Sequence, residues 1–424
     1  MEASAGYPTR SGRTPRGQHA VLYLAVFLVS LGASVAVPVL PDLQQAFHVS
    51  AAQVVLTTSI WGAARLVMDL PLGVVVERLH AGRVLLAGTA ISALGAFIAA
   101  AAPTFEVMLA GRAVSGVGAA VVSYVAIISL LDLSEPHRRG RSLGIYQAVL
   151  QAGSSLSPVA AGFASVVGGW PAAFAIAGVG SVVSVVLLWV TGAVHHQSTS
   201  RRPGGGDTQR AAGSDEAAVQ ARVREVRPVL LSIDYATFAL FFVTGGLVLS
   251  AIPLFGSDRI GLDAAGIGLV LGIATGLRFF IGLAGAELSD RVGRRPVLVS
   301  GMVLMIVPLL VFPLVDTVFW FVVVTWVLAA GRFGNSMPIA MLSDYAPASR
   351  LGGLVAVNRF VADLGLVIGP VAVGVLIDAG GFTPPFLVAA VLVLSGAVAL
   401  WVTAGRLPAS GLTARQSSRS GESA

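Results

Sequence analysis

Seven charged side chains stand inside long apolar runs: Arg65, Asp69, Arg112, Arg278, Arg332, Arg359 and Asp363. A charge deep in a bilayer costs at least about 2.5–3.5 kcal/mol unless it is paired or hydrated, so each marks a pairing, a proton relay or a polar pathway. Arg65 and Asp69 are four residues apart, as are Arg359 and Asp363. That spacing puts both members on one helix face, where they can pair. Two such pairs on facing helices would either rearrange as a network or simply pin the helices together. Arg112, Arg278 and Arg332 have no acid at helical spacing. Three unpaired arginines would attract an anionic or carboxylate-bearing ligand, unless each snorkels or bonds helix carbonyls. Gln147, Gln151, Tyr146 and Asn358 offer hydrogen bonds to a ligand, although polar side chains also tie membrane helices together.

These residues need long helices to hold them. Of 424 residues, 55% are hydrophobic and 11% charged, with a mean hydropathy of +0.85. Soluble domains carry about 25% charged residues, so this chain needs a bilayer as solvent. Apolar runs long enough to span it fall at 21–40, 53–76, 83–102, 107–131, 143–165 and 172–193, then at 229–253, 265–287, 297–315, 318–342, 354–377 and 383–404. Backbone groups in lipid must bond internally, so runs this long are helices and the fold class is all-α integral membrane. The expected organisation is a polar tail over 1–19, a six-helix half over 20–194, a Gly-, Ser- and Arg-rich linker over 195–228, a second half over 229–405 and a tail over 406–424. The first span is too long for a cleaved signal peptide and lacks its small-residue exit.

Several functions are excluded by what is missing. There is no cysteine, hence no disulfide, thiolate metal site or cysteine nucleophile. All 27 basic residues are arginine, which removes Schiff-base chemistry and the phosphate-binding P-loop. H-E-x-x-H does not occur. The expectation is therefore a protein that is not an enzyme, with no cofactor and no metal. Net charge is +6, but the arginines cluster in short loops between spans, which fits lipid contact and topology better than nucleic acid. The loops with Arg78 and Arg83, with Arg138, Arg139 and Arg141, with Arg291, Arg294 and Arg295, and with Arg350 alternate with loops that lack arginine apart from Arg259. The positive-inside rule then places both termini in the cytoplasm.

The two halves repeat. Arg65 precedes Glu77-Arg78 by the same twelve residues that separate Arg278 from Asp290-Arg291, and Asp132, Gly140 and Pro158 match Asp344, Gly352 and Pro370 at nearly the same offset. The loop Asp290-Arg291-Val292-Gly293-Arg294-Arg295 resembles the D-R-x-G-R-R signature of the major facilitator superfamily. Its first-half copy has Glu77 for Asp, and His80 and Ala81 for Gly and Arg. Gly111-Arg112 to Gly116-Val117-Gly118-Ala119 resembles the family's R-x-x-x-G-x-G-A motif, and Ser157-Pro158 to Ala161-Gly162 a weakened antiporter motif.

The resemblance implies twelve transmembrane helices as two six-helix halves, and a monomer in the plasma membrane. It implies secondary transport by alternating access, with export of a small organic compound by proton antiport as in the drug antiporter branch. Asp69, Arg112 and Asp363 are then the proton-coupling candidates. Arg65, Arg112, Gln147, Gln151, Arg278, Arg332, Asn358 and Arg359 are the cavity candidates. Glu77, Arg78, Arg83, Asp290, Arg291, Arg294 and Arg295 form the candidate cytoplasmic gate, in which the acid after the second helix caps a helix of the other half. The alternatives are a proton-coupled or facilitative importer of an anionic metabolite, and a membrane sensor that transports nothing.

Overall fold

The computed structural model describes residues 15–78, 80–135, 138–191, 216–347 and 349–405. Among them ten helices are long and apolar enough to cross a membrane. One of these, Arg139–Val190, is two helices joined at a break, and the shorter Gly17–Ser30 leads the chain, which makes twelve spans.

The first half runs α1 (Pro15–Ser30), α2 (Ala51–Val54 continuing as Leu56–Arg78), α3 (Ala81–Ala100), α4 (Phe105–Leu133), α5 (139–167) and α6 (170–190). The second runs α7 (Glu216–Phe242, then Val243–Ala251 and Ile252–Asp258), α8 (Ala264–Val292), α9 (Arg294–Val311), α10 (Val318–Gly331, Arg332–Ser336 and Met337–Tyr345), α11 (Leu351–Gly380) and α12 (Thr383–Ala404). The break between α5 and α6 falls at Gly168 and Gly169, where Gly169 takes φ 67, a left-handed conformation that a side chain disfavours.

The predicted spans are recovered, with two corrections. Helix α1 does not run to residue 40. It ends at Ser30, and 31–39 cross the remaining depth as successive turns before a short helix, Leu40–Phe47. Pro38 has no amide to donate and biases Val37 away from helix, while Pro41 suits the first turn of the new one. Second, the expected linker over 195–228 is helical from Glu216, because its Ala-, Arg- and Glu-rich sequence favours helix and Val226 and Val229 are buried. Residues 192–215 lie outside the described residues. That extension places Asp234 inside α7.

The repeat reaches further than the motifs show. The interval between Pro158 and Pro370 also separates Pro41 from Pro253, and the turns at 31–39 from the wide π-helical winding at Val243–Ala251. Each half thus interrupts its first helix at the same place. The two loop copies differ, however: Gly293 takes φ 101, whereas His80 sits at φ −67 and ψ 118.

Small residues set the packing. Between α3 and α4, a Cβ at Gly95 would lie 2.3 Å from Ser115 N, one at Gly118 2.3 Å from Ser92 N, and one at Gly111 2.6 Å from Ala99 N. Without a hydrophobic drive between helices in lipid, such backbone contact supplies the attraction. In the second half Gly365 and Gly369 of α11 meet the backbone of Phe238 and Phe242 in the same way.

Candidate functional site

The halves meet along two seams, α5 against α8 and α2 against α11, and both seams close at the end away from the arginine-rich loops. A Cβ at Gly162 would lie 2.3 Å from Ala264 O, and one at Gly268 2.2 Å from Pro158 O. On the other seam Ser59 Oγ donates to Val367 O at 3.0 Å. Beyond it, the Asp378 carboxylate of α11 accepts from Ala51 N and Ala52 N, each at 3.0 Å. Those amides open α2, so an acid of one half caps a helix of the other. Toward the basic end the seams part. Added Cβ atoms at Gly144, Gly276, Gly352 and Gly353 would meet nothing within 4 Å, and Val67, Phe280, Leu283 and Val357 are exposed.

At the closed end Asp42, on Leu40–Phe47, lies near Asp263, which caps α8 through Gly266 N at 2.8 Å. Burial first, and the Asp263 charge second, raise the Asp42 carboxyl above its usual range. An ionised Asp42 therefore works against this closed end. The penalty is complete above the raised pKa and is lifted as pH falls through it. Asp42→Asn is expected to favour closure at neutral pH and to flatten its dependence on acidification, read from labels across that end; an unchanged pH profile would remove Asp42 from the balance.

Arg112 is buried, at 2% exposure, and no carboxylate pairs with it among the described residues. Its Nε donates to Thr57 O at 3.0 Å and its Nη1 to Gly32 O at 3.4 Å, while the guanidinium lies over Trp61 at 5.7 Å and Phe174 at 5.9 Å. The unwound stretch of α1 supplies one of these carbonyls. Ser157 of α5 supports its neighbours, donating to Leu31 O at 2.5 Å and accepting from Ser34 N at 3.2 Å. Irregular backbone at membrane depth survives only when its groups are met in this way. A cavity of about 10 Å³, space for about one water, adjoins Arg112 and is edged by Ser92, Ser115 and Ser181. Arg112 is thus a hub joining α1, α2, α4 and α6 that faces a small enclosed space within one half.

Arg278 of α8 reaches across the α5 seam, donating from Nη2 to Gln151 Oε1 at 2.9 Å. Arg332, 5% exposed, donates from Nη2 to Thr244 Oγ1 at 2.7 Å, and lies close enough to Arg278 to be repelled by it. Thr244 follows Leu240 by four and returns its own hydroxyl hydrogen to that carbonyl at 2.8 Å.

The other candidates disperse. Asn358 is 2% exposed and spends Nδ2 on Asp234 Oδ1 at 2.8 Å and Thr237 Oγ1 at 2.9 Å, clasping α11 to α7. Gln147 and Arg359 are exposed, and Arg65 lies over Trp61 at 5.9 Å. Asp363 is half-buried on α11, and the side chains of Asp69, Glu77 and Arg78 lie outside the described residues. Of the expected gate, Arg83 and Asp290 are exposed, and Arg291 pairs with Glu287 at 2.5 Å on the surface. Arg294 holds Asp344 at 2.9 Å and Ser343 at 3.0 Å, and Arg295 donates to Trp401 O while stacking on that ring at 4.2 Å. These two bind within their own half. The Asp378 cap and the Thr244 contact are absent from the sequence-derived candidates. The box Ser50-x-x-Gln53, which the structure forms, marks the helix start that Asp378 covers.

The sequence model of a family described as the Major Facilitator Superfamily matches residues 22–287 and 236–421. No curated protein matches by sequence. Among solved structures, the chain is similar to a bacterial homolog of the human lysosomal transporter Spinster in an inward-facing and occupied conformation, with a TM-score of 0.74 at 17% identity over 93% of this chain and 98% of that one. The inward-facing, unoccupied form of that homolog gives 0.71 at 17% over 93% and 96%. A mutant of the peptide transporter POT in complex with sulfate gives 0.73 at 15% over 95% and 97%. At these identities the likeness bears on the fold alone.

Proposed function

The chain belongs to the major facilitator superfamily, a family of secondary transporters, and from that premise we propose that it exports a small organic compound, a drug or metabolite, across the plasma membrane in exchange for protons. The observation that carries this reading is the pair of seams, closed by the Asp378 cap and the Gly162 and Gly268 contacts at one end and parted at the other. Two such halves rocking about a midplane site expose it to each side in turn. With the arginine-rich loops and both termini in the cytoplasm, the described state opens inward.

To open outward, the Asp378 cap must break and α5 must leave α8. The basic ends must then meet, and Arg294 and Arg295 exchange their own-half partners for groups across the gap. Asp69 and Asp363 lie on the two helices of the second seam, so a proton taken by either changes the charge between the halves as they move. Arg112 positions α1 and α2 around that seam.

The test is flux of a compound panel in proteoliposomes, with and without a proton gradient. The gradient is expected to drive accumulation, and Asp363→Asn to lower the driven flux at least about tenfold while flattening its pH dependence. Unaltered flux and pH profile in that variant would remove Asp363 from coupling, and no flux of any compound would overturn the transport reading. Import of an anionic metabolite is a second reading, favoured by buried arginines that have no carboxylate partner among the described residues, and it predicts net inward flux.

A further inference from the structure

Arg278 and Arg332 place two positive charges in the membrane core of the second half, and among the described residues neither has a carboxylate partner. Their surroundings differ from those of Arg112, which has carbonyls at its donors and aromatic rings close by. A guanidinium only donates, so Arg278 fixes the Gln151 oxygen toward itself and turns the amide nitrogen away. That nitrogen, Nε2, is buried without a partner, and so is Arg332 Nε. Both orphaned atoms are donors. Two cations and two idle donors, with no carboxylate partner among the described residues, is an arrangement that a folded protein seldom keeps without a use.

The backbone at this place is irregular as well. Arg332 opens the 3₁₀ turn Arg332–Ser336 within α10, and Thr244 lies in the π-helical Val243–Ala251 of α7. Interrupted winding of this kind gathers at functional sites, and at membrane depth it belongs beside a polar space or buried protein.

We propose that Arg278, Arg332, Gln151 and Thr244 form an anion-binding subsite that takes the carboxylate or phosphate group of the transported compound. The subsite rests on the transport reading. The bound anion accepts from Arg332 Nε and Gln151 Nε2 and offsets the repulsion between the guanidiniums. It also competes with Gln151 Oε1 for Arg278, so its arrival weakens a hydrogen bond that joins α5 to α8 across the halves. Binding is thereby tied to the seam that must open.

The probes are succinate, inorganic phosphate and neutral succinamide, applied to the purified full chain at matched ionic strength while thermal unfolding is followed. Succinate or phosphate is expected to raise Tm saturably by roughly 3–5 °C, and succinamide to leave it unchanged. Arg332→Gln and Arg278→Gln are expected to abolish the anion shift. Arg332→Gln should also raise the Tm of the anion-free protein, since it removes an uncompensated buried charge, whereas a merely structural arginine would lower it. If either arginine variant does not fold, Gln151→Ala decides, with an expected loss of about tenfold in anion affinity. No saturable shift in the wild type, or an equal shift in the variants, overturns the subsite. Flux separates the two claims: transport without an anion shift sinks the subsite alone, and an anion shift without any flux sinks transport alone.

Discussion

Valine at Gly268 is expected to hold the outer end of the protein apart and to lower transport at least about tenfold, with both halves still folded. The glycine lies where an added Cβ would stand 2.2 Å from the Pro158 carbonyl oxygen and 3.0 Å from its carbon. Those neighbours are backbone and cannot swing aside. Overpacking of this kind costs about 1–3 kcal/mol, which moves a two-state balance by roughly 5- to 150-fold. The cost falls on the closed outer end alone, because α5 and α8 belong to different halves. Since the chain has no cysteine of its own, labels at Ala101→Cys and Asp316→Cys report the outer end and labels at Gly144→Cys and Ala286→Cys the inner end. The outer distance should lengthen and the inner one shorten. Gly118→Val supplies the contrast: its Cβ would stand 2.3 Å from Ser92 N inside one half, so every conformer suffers and Tm falls. Unchanged label distances and flux in Gly268→Val would refute the seam as the moving part.

Removing the Asp378 carboxylate should shift the same balance in the same direction. Asp378→Ala leaves Ala51 N and Ala52 N without their acceptors, and a helix cap of this type is worth about 0.5–2 kcal/mol. Because the carboxylate is exposed, the lower part of that range applies and added salt should weaken the effect. Asp378→Asn keeps an acceptor and loses the charge, so outer opening should rank Ala above Asn above the native acid. Equal populations in all three proteins would leave the cap with no part in closure.

Much of the architecture was legible because bilayer thickness dictates span length, and span length survives any detail of packing. The repeat was legible because Arg65 with Glu77 and Arg278 with Asp290 keep one spacing. The first-helix interruption was not, although Gly32, Pro38 and Pro41 lie there: a run that is apolar all round carries no period from which a break can be read. Arg112 was recognisable as a buried charge, but backbone carbonyls at Gly32 and Thr57 satisfy it, and no residue type advertises an accepting carbonyl. Asn358 looked like a ligand donor and proved to be a clasp, since only the fold brings Asp234 and Thr237 to it. Asp378 stood in a loop valued for its lack of arginine. Its role depends on the α2 start being brought beside it from more than three hundred residues away.

The parted seams also have a mechanical consequence. A body closed at one end and splayed at the other occupies more area in one leaflet than in its opposite. In the proposed cycle, rocking transfers that excess from the leaflet at the arginine-rich end to the opposite one, and so performs work against lateral pressure in each. The proposed conformational balance at Gly268 and Asp378 is therefore coupled to how tightly each leaflet is packed, and lipids that crowd the leaflet at the arginine-rich end are expected to push the protein toward the form open at the other end.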